Sequence, residues 1–195
     1  MTEKQDDKIN LFEELFIKGQ IYKNVSEKKN IWKEIAEKLD GKFIIKQTVS
    51  KDLTSFVLKI PYKDQIVILT ETDTKPLKSK ISLNLKERFE LSISWEDRIE
   101  KIMKFFGSQD IEIGFSEFDT KYMIQSNNPD KTIKILTNLK DLILKQNIYL
   151  ISLRQEKNQN HKLIITKDRN TKKLSEMIDF IKLNFKLIDN LLYKK

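Results

Sequence analysis

The sequence predicts an α+β protein: an antiparallel sheet with N-terminal helices and a long, largely buried C-terminal helix packed on it. Three observations carry this. The 195 residues include only 4 Gly and 3 Pro, too few for the many tight turns of an all-β sandwich. Apolar residues recur at helical spacing at both ends of the chain. Between the ends, runs rich in β-branched and aromatic residues are each bounded by a turn signal.

Ile9, Leu11, Phe12, Leu15 and Phe16 predict a helix over 7–18 that stops near Gly19. Ser26 is placed to cap a second helix. Its buried stripe is Ile31, Trp32, Ile35, Ala36 and Leu39, and Asp40-Gly41 ends it. The alternative is one long helix interrupted at Gly19. From Phe43 the period changes, and FIIKQTV, SFVLKI and QIVILTET read as strands. Pro61-Tyr62-Lys63-Asp64 is the turn between the last two, and 72–80 is a loop. Residues 81–94 alternate apolar and polar side chains, as in a paired hairpin or a long strand bulged near Glu87-Arg88.

Trp95 is expected to open a short helix that buries Ile99, Ile102, Met103 and Phe106 and is capped by Gly107. KYMIQ (121–125) reads as a strand, and Pro129 as the first turn of a helix over 130–145. NIYLISLR (147–154) and HKLIITK (161–167) form a hairpin around QEKNQN. The closing helix, about 172–192, has two apolar stripes, wider than the ~100° needed to lie on one sheet. It is expected to be buried on two sides, by the sheet and by the N-terminal helices or a second copy of itself. These elements divide into a helical segment (1–41) and an α+β domain (42–195) that form one structural unit.

The chain has no cysteine, which excludes disulfides, thiolate zinc sites, iron–sulfur clusters and cysteine nucleophiles. A single histidine, His161, leaves no His-rich metal site, and no cofactor is expected. The polar start MTEKQDDKIN lacks a signal-type apolar core, and no apolar run reaches the ~18–20 residues that span a bilayer. A cytoplasmic location is the expectation. The net charge is +8, concentrated in residues 151–195, where eleven basic groups face five acidic ones. Lys157, Lys162, Lys167, Arg169, Lys172 and Lys173 are the candidate contacts to a polyanion. A solvated, lysine-rich face is the simpler account, because no aromatic alternates with these groups as a stacking platform requires.

Residues 107–122, GSQDIEIGFSEFDTKY, concentrate the acids. On a strand, Asp110 and Glu112 would share one face, the minimal geometry for a hard cation. Asp119-x-Lys121 then resembles the acid-x-lysine of metal-dependent nucleases, in which acids hold Mg²⁺ and the lysine serves the attacking water. Asp110, Glu112, Asp119 and Lys121 are thus a candidate catalytic set. The alternative is a half-exposed strand followed by a bend. There Asp119 takes backbone N–H groups around 118–120, and Phe115 and Phe118 plug the bend into the core. Arg154 and His161 have the loose spacing of a helical ribonuclease pair, but they flank a hairpin loop, where a solvent-facing His is expected. No phosphate-binding glycine loop, dinucleotide fingerprint, zinc-protease helix or nucleophile elbow is present.

Trp32-x-x-Ile35-Ala36, the G-x-Q-D-I-x-x-G-x-x-x-F-D run at Gly107–Asp119, the following DKTIKIL and the strand–strand–helix ending together resemble a group of uncharacterised bacterial proteins, many with N-terminal membrane helices. The resemblance covers roughly residues 30–192. It implies no activity and no catalytic residues, and this chain lacks the membrane span. The expected function is non-enzymatic: binding to another protein or to a second copy of itself. Nucleic-acid binding, or Mg²⁺-dependent cleavage, through the basic last quarter is the alternative.

Overall fold

Helix α1 (Ile21–Lys38) exists because one stripe of its surface is apolar and has a sheet to lie on. Trp32 and Ile35 are fully buried, with Ala36 beside them. The helix ends through Gly41, whose N–H bonds to Ala36 O at 2.8 Å, after Asp40 has turned into the left-handed region at φ +48°. A Cβ on Gly41 would lie 2.9 Å from Lys59 O, so this close approach of helix end to sheet needs glycine. The computed structural model describes residues 21–48, 53–72, 74–95, 110–157, 159–169, 171 and 174–192. The helices expected over 7–18 and 96–106 lie outside them.

Eight antiparallel strands make one sheet: β1 (Lys42–Thr48), β2 (Leu53–Tyr62), β3 (Gln65–Thr72), β4 (Lys78–Leu83), β5 (Leu91–Trp95), β6 (Tyr122–Ser126), β7 (Ile148–Gln155) and β8 (His161–Lys167). Their order is β1-β2-β3-β4-β8-β7-β5-β6. Period-2 alternation gives the sheet two unlike faces. The register aligns Leu58 with Leu69, Ile81 with Leu163, Leu163 with Leu153, Leu153 with Leu91, and Ile93 with Ile124. All are buried and form a continuous apolar floor under the helices.

Among the described residues four helices follow α1: α2 (Ser116–Lys121), α3 (Pro129–Thr137), α4 (Lys140–Lys145) and α5 (Leu174–Leu192). α5 is the long C-terminal helix predicted from sequence. Its apolar side chains Met177, Phe180, Ile181, Leu183, Leu187 and Ile188 are all buried, while Lys182 and Lys186 face water. It contacts both α1 and α4 within the chain. Phe185 stacks on Tyr62 with centroids 3.8 Å apart, and Asp189 accepts from the Tyr62 hydroxyl at 2.9 Å and from Lys63.

Several boundaries differ from the sequence reading. α1 runs through Ser26 instead of starting at it. Trp95 ends a strand, held by its Nε1 donating to Ile148 O at 2.9 Å, and the helix expected to follow it lies outside the described residues. Residues 81–94 are not a hairpin: β4 pairs with β8, β5 pairs with β6 and β7, and two strands separate them. The stretch 130–145 is two helices, broken where the Asn138 side chain bonds back to Lys134 O. The 72–80 loop is shorter than predicted because β4 already begins at Lys78.

Candidate functional site

The acidic segment is a corner stitched by its own carboxylates. Asp119 accepts from two backbone amides, Ile113 N to Oδ1 at 2.9 Å and Phe115 N to Oδ2 at 2.8 Å. These lie upstream of the amides at 118–120 that the sequence points to. Gly114 sits between them at φ +76°, a left-handed bend that suits glycine. Phe118 then plugs into the core against Tyr122, centroids 4.6 Å apart. Asp110 accepts from Ile124 N at 2.7 Å, and Ile111 N donates to Ile124 O at 2.9 Å. β6 is a terminal strand, so this segment satisfies part of an edge that would otherwise present open N–H and C=O groups.

Asp110 and Asp119 therefore serve different amides, while Glu112 and Glu117 point to water. Among the described residues no group of three or more His, Asp or Glu side chains is placed to hold a metal ion. Lys121 donates to Asn147 Oδ1 at 2.9 Å and lies over the rings of Trp95 and Tyr122. The Tyr122 hydroxyl donates to Ile148 O at 2.7 Å, and burial pushes its pKa up to about 12.

His161 corrects the expectation of a solvent-facing ring. It is 1% exposed, paired across the sheet with Leu83 and Gln155. Its Nε2 accepts from Phe89 N at 3.4 Å, and burial lowers its pKa, partly opposed by Glu90. Arg154 lies opposite Lys162, one residue out of step with His161, so the two point to opposite faces of the sheet.

Among the described residues, the basic groups of the last quarter are spread over both faces of the sheet and a turn. Lys167 is buried on the helix-covered face, its Nζ 3.2 Å from Gln146 Oε1, and desolvation lowers its pKa. Lys162 pairs with Glu156 at 2.7 Å and Arg169 with Asp168 at 3.2 Å. Lys157 is exposed in the β7–β8 turn. Lys172 and Lys173 lie outside the described residues.

A second set of cations lies on the sheet. The strands turn Lys42 and Lys46 (β1), Lys59 (β2), Lys78 and Lys80 (β4), Lys162 (β8) and Arg154 (β7) away from the helices. Glu71 is the one acid on the eight described strands, and it faces the helices. Lys42 lies opposite Lys59, and Lys59 and Lys80 flank Ile68. The Lys78 pKa is lowered, first by desolvation and then by repulsion from Lys80, Lys162 and Lys75. Among the described residues, Lys42, Lys46, Lys59, Lys78 and Lys80 have no carboxylate partner. Block sums along the chain hide this surface. Sorting the strand charges by odd and even position would have exposed it.

Glu71 itself is 1% exposed. It meets Lys28 at 3.2 Å and accepts from Thr171 N at 3.0 Å, joining α1, β3 and the approach to α5. Burial raises its pKa above the ordinary 4.5 despite the opposing pull of Lys28 and Thr171. The folded state therefore holds this proton more tightly than the unfolded chain does. The resulting stability is whole below about pH 4.5 and is lost as pH rises through the folded value. Urea midpoints should thus fall less between pH 4.5 and 7 in Glu71→Gln than in the wild type. Equal falls would show that this carboxyl does not carry the dependence.

A groove of about 550 Å³ opens between the β4–β5 connection, α3 and the end of α5. Its rim mixes Lys86, Lys131 and Lys134 with Glu87 and Asp130, so it has no single charge preference. No helix among the described residues is long and apolar enough to cross a membrane.

The fold and these surfaces define an α+β protein whose sheet is covered by helices on one face and carries lysines on β1, β2, β4 and β8 on the other. No protein-family model and no curated protein matches the chain. Among solved structures, the crystal structure of the mycobacterial trehalose monomycolate transport factor A, TtfA, is similar at 11% identity and a TM-score of 0.48, covering 85% of this chain and 96% of that one. A likeness at that level carries no argument about either fold or function.

Proposed function

We propose that the protein is a non-enzymatic binding module that acts through a macromolecular partner, held on the cationic face of its sheet. The observation that carries this reading is the segregation of charge: outward lysines on β1, β2, β4 and β8, four of five consecutive strands, with no outward acid on any of the five. Such a face repels itself and is relieved by an anionic partner. The acidic corner supports the same reading, since Asp110 and Asp119 already hold backbone amides. The C-terminal helix contacts α1 and α4 within the chain, which supports placing the partner on the sheet and not on this helix.

The test is a pull-down with the immobilised full chain at physiological salt, comparing wild type with Lys42→Glu/Lys46→Glu. A partner retained by the wild type and lost by the variant is the expected result. A wild type that elutes as a strict monomer and retains nothing the variant does not would end the reading.

Nucleic acid is the second reading, favoured by the same excess of cations. It predicts an affinity that falls steeply with salt. A flat titration from low to moderate salt removes it.

A further inference from the structure

We propose that the cationic half of the sheet docks the protein onto an anionic lipid bilayer, its open lysines against acidic headgroups and Ile66 against the acyl boundary. This rests on reading the protein as a binding module, and it names the partner by chemistry. Three features of the face select a lipid surface.

The first is breadth. Neighbouring strands are ~4.8 Å apart, so lysines from β1 to β4 spread over roughly 14 Å. Charges spread across several strands suit a planar array of opposite charges.

The second is the kind of cation. Every basic residue at the outward positions of β1, β2, β4 and β8 is lysine. Lysine is a point charge on a flexible stem, well suited to mobile headgroups. Bidentate readout of bases or phosphates favours the arginine fork, and single-stranded nucleic acid favours aromatic platforms. The outward positions of β1–β4 and β8 hold no aromatic.

The third is the aliphatic component. Ile66, at the β2–β3 end of the face, is 57% exposed, the one large apolar side chain so exposed among the described residues. Pro61 lies opposite it and Ile68 follows it on the same face, between Lys59 and Lys80. Aliphatic residues among lysines match the boundary between headgroups and acyl chains. They offer nothing to a phosphate backbone.

The experiment is co-sedimentation of the full chain with phosphatidylcholine vesicles, with and without about 30% phosphatidylserine, at low and high salt. A fluorescent 40-mer of single-stranded nucleic acid is titrated in parallel, about three times the span of one binding site. Wild type should pellet with the acidic vesicles only, and salt should release it. Lys59→Glu/Lys80→Glu should weaken binding about 25-fold or more, since each lysine near an acidic surface is worth about five-fold. Lys33→Glu/Lys186→Glu changes the net charge equally on the helix side, where both lysines are exposed, and should bind like wild type. Ile66→Asp should weaken binding to the acidic vesicles at low salt.

Pelleting with neutral vesicles, or equal loss in both double variants, overturns the proposal. So does nucleic-acid binding without vesicle binding. If no vesicle binds while a partner sensitive to Lys42→Glu/Lys46→Glu is still captured, the lipid assignment falls and the binding module stands.

Discussion

Trp32→Ala should destabilise the protein by about 3–5 kcal/mol, enough to unfold much of it near physiological temperature. The indole is fully buried where α1 meets the first two strands. Its ring lies 5.8 Å from both Phe43 and Phe56, and those two stack 5.9 Å apart, so one truncation empties the centre of a three-ring cluster. Backbone relaxation cannot fill the space, because Gly41 already brings the helix end against β2. Trp32→Phe should cost much less: it keeps a ring, and Trp32 Nε1 has no hydrogen-bond partner to lose among the described residues. Urea unfolding followed by far-ultraviolet circular dichroism gives both values. A loss under about 1 kcal/mol for Trp32→Ala would mean that α1 is not docked as described.

Trp32 was legible because helical periodicity reports burial directly: Ile31, Trp32, Ile35, Ala36 and Leu39 mark the covered stripe. The long C-terminal helix was legible for the same reason. Strand order was not. Residues 78–83 and 91–95 both alternate, but alternation says only that each has two faces, not which strand lies beside it. β8 and β7 separate them through contacts distant in sequence.

His161 and Lys167 show a different shortfall. In HKLIITK they occupy the same parity as Leu163 and Ile165, so the pattern already places them on the buried face. Residue type argued for solvent, and position won. The wet side of the 107–119 bend could be read from residue type, but the partners of its carboxylates could not. Asp119 reaches back six residues to Ile113 and Asp110 reaches forward to Ile124, across a fold that local spacing does not specify.

Those carboxylates give the second large effect. Asp119→Ala should cost about 2–4 kcal/mol, since it leaves two partly buried N–H groups without their charged acceptor at the bend that delivers Phe118 to the core. Asp119→Asn keeps one acceptor oxygen and should lose roughly half as much. Asp110→Ala should cost less, about 1 kcal/mol, because Asp110 is exposed; its distinctive effect is on the Ile124 amide at the sheet edge, which should exchange faster. Glu112→Ala and Glu117→Ala should stay within about 0.5 kcal/mol of wild type, as exposed side chains without such partners do.

This graded pattern separates a bend from a metal centre. Ligands of one ion act together, so in a metal centre added Mn²⁺ should raise the wild-type melting temperature, and Asp110→Ala, Glu112→Ala and Asp119→Ala should each abolish that rise. Carboxylates that serve separate amides act independently, and their losses add. Graded, additive losses without a Mn²⁺ shift would establish the bend, whereas a Mn²⁺ shift removed alike by all three substitutions would make the corner a ligand set.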